Sequence, residues 1–333
     1  MRARKRSVKG IGLISGGLDS LLAAKILQEQ GVDVLGITFT TPFWDCSVAC
    51  ASARDASIPV RVVDISVEHL EVVKNPVYGY GSNMNPCIDC HGLMIRIAGR
   101  IMEEEGADFI FTGEVVGQRP MSQRMDALRS VEKLSGYGGR VLRPLSAKLL
   151  PETEVEKLGL VDRSRLLAIQ GRSRKKQIEL ARLFGLKTFS PPGGGCLLTK
   201  EGFSSKLRKL LGSSPNVSVR HIEMLKAGRF FILPGNNCFF LGRNHMDNMR
   251  LQELADLYRE TLFVCKGVPG PKGLLLSTSS AEDVVKLAAI ITASFSDASP
   301  GQEVMVEWRN IQCKDVFQIR SRSRQEFDDL MIR

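Results

Sequence analysis

Ile11-Gly12-Leu13-Ile14-Ser15-Gly16-Gly17-Leu18-Asp19-Ser20 passes from a short apolar run, through two glycines flanked by serines, into a helical pattern that Gly31 stops. Strand, turn and helix in that order bring backbone N–H groups and the positive end of a helix dipole to one point, which suits an anion. Gly16 and Gly17 lack Cβ atoms, so the backbone can close around phosphate oxygens, while Ser15 and Ser20 offer hydroxyl donors. Asp19 would repel a bare phosphate, so its carboxylate suits Mg²⁺ that neutralises a polyphosphate. Neither G-x-x-x-x-G-K-[ST] nor G-x-G-x-x-G is present, which argues against a Walker ATPase and a dinucleotide enzyme. For a bare Ser-Gly-Gly the plainer alternative is a capped strand-to-helix turn.

Around this stretch, β-rich runs alternate with helical patterns, as in βαβ units about a mostly parallel sheet. The pattern predicts strands at residues 11–14, 34–38, 60–64, 109–112 and near Val141, with helices at 19–30, 47–56, 92–105 and roughly 118–134. The expected fold class is therefore α/β, a doubly wound sheet. A basic helical stretch over 162–183 and a Gly/Pro loop over 190–195 follow, the loop carrying Cys196. From about Phe203 the texture changes to a basic helix, a hairpin about Pro234, a helix over 251–259, a strand at 274–276, a helix at 281–293 and strands at 303–308 and 316–320. Residues 1–200 and 201–333 thus read as two domains, the second a smaller α+β one.

An apolar fraction of 43% can fill a core in a chain of 333 residues, and a net charge of +10 favours a polyanionic partner such as nucleic acid. No apolar run approaches the roughly 20 residues that span a bilayer, and the charged residues 1–9 lead into too short an apolar run for a signal peptide. The expectation is a cytoplasmic protein with no membrane partner. Basic residues cluster at Arg163, Arg165, Arg172, Arg174, Lys175 and Lys176, opposed nearby only by Asp162, and continue through Lys200, Lys206, Arg208 and Lys209. Such a cluster positions RNA through phosphates, whereas any single member is usually a solvated surface residue.

Eight cysteines are too sparse for a secreted disulfide scaffold, so their spacing carries the meaning. Asn85-Pro-Cys-Ile-Asp-Cys-His91 sets Cys87 and Cys90 at Cys-x-x-Cys spacing in the turn before the 92–105 helix, where a helix N-terminus favours thiolates. Cys196 follows three glycines that could bring it to the same sheet edge. Three thiolates without a clear fourth ligand suit a [4Fe–4S] cluster with one open iron, or a persulfide carrier with a resolving partner. With His91 as a fourth ligand, structural zinc is the rival. Cys46 and Cys50, at i and i+4, read as small core residues, and Cys238, Cys265 and Cys313 as isolated strand or core residues. His69, His221 and His245 have no partners at ligand spacing.

The hexad from Ser15 to Ser20 resembles the SGGxDS signature of the PP-loop ATP pyrophosphatases, which adenylate a carbonyl and release pyrophosphate. With the cysteines it is similar to the tRNA-uridine sulfurtransferases. The 85–90 motif and Cys196 resemble MnmA-type 2-thiouridine synthases and archaeal-type iron–sulfur thiolases. Residues 93–98, Thr112-Gly-Glu-Val-Val-Gly-Gln118, Ser122-Gln123 and Leu142-Arg-Pro-Leu145 look more like the adenylation domain of ThiI-type 4-thiouridine synthases. Those carry an RNA-binding domain ahead of the phosphate loop, so here RNA capture is expected elsewhere. Arg229-Phe-Phe231, Phe240-Leu-Gly-Arg-Asn244, Asn248, Leu251, Pro269-Gly270 and residues 288–294 resemble the NFACT RNA-binding domain.

The resemblance implies an ATP-dependent tRNA-uridine sulfurtransferase in which a uridine carbonyl is adenylated and sulfur replaces its oxygen, 4-thiouridine being favoured over 2-thiouridine. ATP·Mg²⁺ would sit on Ser15, Gly16, Gly17, Asp19 and Ser20, with Thr112, Gly113, Glu114 and Gln118 in the nucleotide pocket and Ser122 near it. Cys87, Cys90 and Cys196 would carry the cluster or the persulfide. The partners implied are tRNA and a sulfur donor, either sulfide or a persulfide carrier such as a cysteine desulfurase, and a homodimer is compatible with the pattern. The competing classes are an amidating or ligating PP-loop enzyme without sulfur chemistry, and a non-catalytic RNA-binding protein with a structural zinc site.

Overall fold

The computed structural model describes residues 7–190, 195–213, 216–276, 281–311 and 313–332. The start of the chain and residues 191–194 of the expected Gly/Pro loop lie outside the described residues. The chain divides into two units, Met1–Leu197 and Leu198–Arg333.

In the first unit β1 (Lys9–Leu13), α1 (Leu18–Gln28), β2 (Asp33–Thr40), α2 (Ser47–Asp55), β3 (Val60–Asp64), α3 (Ser66–Lys74), α4 (Cys87–Glu104), β4 (Phe109–Thr112), α5 (Met125–Ser135) and β5 (Val141–Leu142) succeed one another. The short α6 (Glu154–Lys157) and α7 (Lys175–Leu183) follow. The five strands are parallel, in the order β3-β2-β1-β4-β5. This is the expected α/β doubly wound sheet. Alternation along β4 shows why both faces are covered: Phe109 and Phe111 join the core beneath α1, while Ile110 joins Ile95, Ala98 and Ile101 of α4 on the other face. The strand order reverses between β1 and β4, and the crevice beyond their carboxyl ends is where open α/β sheets bind ligands.

Three sequence expectations are corrected here. The helix expected at residues 92–105 begins at Cys87, because Pro86, which has no N–H to satisfy, stands at its N-cap, so the two cysteines occupy its first turn. The helix expected from residue 118 begins only at Met125; Gly117 at φ +73° and a Gly117 N–H bond to the Gln123 carbonyl hold a turn instead. The basic stretch is not one helix. It holds a short 3₁₀ turn, Arg163–Arg165, and α7, and between them Leu167, Ile169 and Gly171 donate backbone bonds to the Pro144, Leu145 and Val116 carbonyls. Arg163 pairs with Glu156 and Arg165 donates to the Glu29 carbonyl, so the early part of that cluster is used internally.

The second unit contains α8 (Glu201–Ser213), α9 (Val219–Lys226), β6 (Arg229–Leu233), β7 (Asn237–Leu241), α10 (His245–Tyr258), β8 (Thr261–Lys266), β9 (Lys272–Leu275), α11 (Glu282–Ser294), β10 (Glu303–Arg309), β11 (Lys314–Arg320) and β12 (Met331–Ile332). Its strands form one antiparallel sheet, β11-β10-β8-β9-β7-β6-β12. Phe231, Phe239 and Phe263 pack under α11, and alternation gives Phe230, Phe240, Leu262 and Leu274 to the opposite face. Among the described residues no helix is long and apolar enough to cross a membrane.

Phe111 is fully buried beside Phe109 at the sheet centre. Phe111→Ala should therefore cost about 3–5 kcal/mol, read as a lower urea midpoint for unfolding of the first unit.

Candidate active site

The loop after β1 is built as the sequence suggests. Gly16 sits at φ +73°, and a Cβ there would lie 2.6 Å from the Ala49 Cα, so α2 packs directly on the bare backbone. Ser20 Oγ donates to the Gly17 carbonyl at 2.8 Å and accepts from the Ser15 N–H at 3.3 Å, closing the turn. Gly113, just after β4, approaches as closely: a Cβ would fall 2.4 Å from the Ser20 N and 2.6 Å from the Asp19 carbonyl carbon. The loops after β1 and β4 thus meet at the crevice.

Asp19 Oδ2 accepts from Gln118 Nε2 at 2.6 Å, and Gln118 Oε1 accepts from Gln177 Nε2 at 2.9 Å. Asp19 Oδ1, Gln177 Oε1 and Arg174 Nε are buried without a hydrogen-bond partner. Unsatisfied buried polar atoms are costly, and a carboxylate oxygen left open beside a phosphate cradle fits a divalent cation. Sequence reading missed Gln177. Only its spacing three residues after Arg174, on one face of α7, hinted at it.

Glu114 has a different place from the one expected. Its Oε2 accepts from Arg143 Nε at 2.9 Å and Thr112 Oγ1 at 3.0 Å, and its Oε1 bonds His91 Nδ1 at 2.9 Å. Burial alone would raise its pKa, but the Arg143 charge and the His91 contact outweigh it and hold the carboxyl at about 2. Both oxygens are committed inside the protein, so Glu114 braces the pocket. Arg143 also pairs with Glu132.

His91 follows Cys90, so the same brace fixes the first turn of α4. Asp89 helps by accepting from the Val77 and Tyr78 N–H groups at 2.7 and 3.1 Å, and Asn85 Nδ2 donates to Cys87 Sγ at 3.1 Å. Ser190 N donates to the Gly16 carbonyl at 2.8 Å and Leu197 N to the Phe43 carbonyl at 3.0 Å, which brings the Cys196 segment to the phosphate loop. The thiolate expected at Cys90 is corrected. Burial, then the charges of Cys196, Cys87 and Asp89, push its thiol well above the usual range. The charges of Cys196 and Cys87 both act on Cys90, which puts these two thiols within its electrostatic reach. Among the described residues no three His, Cys, Asp or Glu side chains are gathered tightly enough for a single ion. Cys87, Cys90 and Cys196 are soft donors, the ligand type that holds iron–sulfur clusters.

Cys46 and Cys50 are not core. Both are half-buried at the start of α2, and burial and a mutual hydrogen bond raise the Cys46 thiol. Cys238 is buried in β7, Cys265 half-buried in β8, and Cys313 exposed and outside a strand. His69 is buried against Phe43 and Trp44 with neither ring nitrogen bonded, and burial lowers it to about 4.

Residues 6–149 match the family model described as thiamine biosynthesis protein (ThiI), and residues 228–330 that of the NFACT protein RNA binding domain. The first part of the chain is thus similar to ThiI proteins and the second to NFACT-type RNA-binding domains. A probable tRNA sulfurtransferase of Streptococcus gordonii is 27% identical over 143 residues, 42% of this chain and 35% of the relative. A tRNA-specific 2-thiouridylase MnmA of Pelobacter propionicus is 31% identical over 115 residues, 30% of this chain and 31% of the relative. The chain thus matches about a third of the length of these relatives. A solved 4-thiouridine synthetase in complex with RNA and bound ATP is 24% identical, with 58% of this chain and 46% of that chain covered and a TM-score of 0.38, at which the likeness carries no argument.

Because the Glu114 pKa is depressed from 4.5 to about 2, the brace in the first unit is fully present above about pH 4.5 and is lost as pH falls toward 2. Glu114→Gln leaves the buried Arg143 with Glu132 as its one remaining carboxylate and should cost about 1–3 kcal/mol at pH 7. The difference from wild type should shrink in acid, as followed by urea unfolding at stepped pH.

Proposed function

We propose that the protein is an ATP-dependent tRNA-uridine sulfurtransferase, with 4-thiouridine as the favoured product. The observation that carries this reading is the meeting of a phosphate loop and three thiols, tied together by Gly113 on Ser20, His91 on Glu114 and Ser190 on Gly16. The ThiI-type match and the sulfurtransferase relatives support it.

ATP phosphates would lie on Ser15, Gly16, Gly17 and Ser20, with Thr112 and Gly113 shaping the far wall. Asp19 would hold Mg²⁺, which when bound would neutralise phosphate charge, while Gln118, steadied by Gln177, fixes the Asp19 Oδ2. The uridine carbonyl oxygen attacks the α-phosphate and pyrophosphate leaves, its charge met by the loop amides. A sulfur nucleophile then adds to the activated carbon and AMP departs with the oxygen. Cys87, Cys90 and Cys196 would hold the [4Fe–4S] cluster, which when bound supplies an open iron for sulfur. Without it, Cys90 or Cys196 would take the outer sulfur of a persulfide carrier such as a cysteine desulfurase, whose thiol leaves. After that sulfur has added to the activated carbon, the other thiol breaks the S–S bond, leaving a Cys90–Cys196 disulfide for a dithiol reductant, while free sulfide suits only the cluster route. We place this chemistry in the cytoplasm.

Pyrophosphate release with ATP should require tRNA and give thiolated uridine; release with no sulfur incorporated would point to an amidating or ligating enzyme. Protein purified without oxygen should hold about four irons and matching labile sulfide per chain, lost in Cys87→Ala, Cys90→Ala and Cys196→Ala. Zinc, or no metal, would remove the cluster from this reading. Gln177→Ala should raise the Mg²⁺ concentration for half-maximal pyrophosphate release about tenfold, with the rate at saturating Mg²⁺ largely kept.

A further inference from the structure

Four cations crowd one corner of the second unit. Arg229 opens β6, Arg243 follows β7, Lys206 lies on α8 and Arg324 begins the 3₁₀ turn Arg324–Phe327. The Arg229 and Arg324 guanidiniums lie over the Phe295 ring, 5.2 and 5.6 Å from its centroid, inside the range of cation–π attraction. Arg324 Nη2 donates to the Ser296 carbonyl at 2.9 Å and Arg229 Nη1 to the Gly242 carbonyl at 3.1 Å, so both heads are fixed before anything binds. Arg243 is held by Asp247, Nε to Oδ2 at 2.7 Å.

The carboxylate that acts against Lys206 and Arg229 is Asp247. Burial, then Arg243 and Arg229, push the Lys206 ammonium down, and burial, then Arg324 and Arg243, do the same to Arg229. Folding thus holds like charges together against their own repulsion. A polyanion relieves that repulsion, and pinned guanidiniums match phosphate oxygens without further ordering. Because the heads come from four separate elements, an extended chain of phosphates suits them better than a single small anion.

We propose that Lys206, Arg229, Arg243 and Arg324 form the site at which the second unit grips an RNA phosphodiester backbone. This rests on reading that unit as RNA-binding and names its contact residues. Such contacts set affinity and position and carry no base information, so specificity for a particular tRNA is not expected from this corner.

The test is tRNA binding by the full-length protein, measured by fluorescence anisotropy over a salt series. Lys206→Gln with Arg243→Gln should weaken binding about tenfold at ~0.1 M salt and flatten the slope of log affinity against log salt by about one to two. Asp247→Asn, which removes the opposing charge, should tighten binding about threefold, an opposite sign that misfolding would not produce. Unchanged affinity and slope in all variants, with wild type binding well, would overturn the site and leave the RNA-binding reading standing. The same follows if Lys175→Gln with Lys176→Gln accounts for the whole slope. Displacement of tRNA by millimolar inorganic phosphate would reveal a small-anion pocket and overturn the proposal. A wild type that binds no tRNA would overturn both.

Discussion

One buried carboxylate, Glu114, joins the end of β4, the first turn of α4 and the residue after β5. Burying a charge this deeply is unfavourable unless its oxygens are met, and here Arg143, Thr112 and His91 meet both. Much of the site depends on that arrangement. The His91 bond orients the turn that carries Cys87 and Cys90, and the neighbouring Gly113 rests on the amide of Ser20. The turn that carries Cys87 and Cys90 and the phosphate cradle are therefore tied through the end of β4, although 66 residues lie between Ser20 and Cys87 in the chain.

The sheet was legible because its strands are apolar runs separated by helices with plain stops such as Gly31 and Gly106. The phosphate loop was legible because its chemistry is local, with six consecutive residues supplying the turn, the hydroxyls and the carboxylate. Glu114 was found, but its partners were not. Its neighbours in sequence point to a ligand pocket, whereas its role is set by Arg143 and His91, which are distant in the chain. Gln177 escaped notice for the same reason, since nothing near it reveals that it reaches Gln118. Helix starts erred where proline and glycine shifted them: Pro86 permits α4 to begin at Cys87, and Gly117 delays α5 until Met125.

Charge was read too coarsely from sequence. The run from Arg163 to Lys176 looked like one basic surface, yet Arg163 is neutralised by Glu156 and Arg165 is spent on a carbonyl. The densest accumulation of positive charge described above is instead assembled from residues 206, 229, 243 and 324, which only the antiparallel sheet and its helices bring together. Net charge reports how much is present. Topology decides where it acts.

The strand-like bridge between Ser190 and Gly17, with Ser190 N bonded to the Gly16 carbonyl, ends on the loop that would receive the nucleotide, and a few residues later Leu197 is fastened to Phe43. The described residues on either side of 191–194 are thus fastened at two places, one on the phosphate loop and one on the segment after β2, so Cys196 stays beside the carboxyl edge of the parallel sheet for as long as both bonds hold.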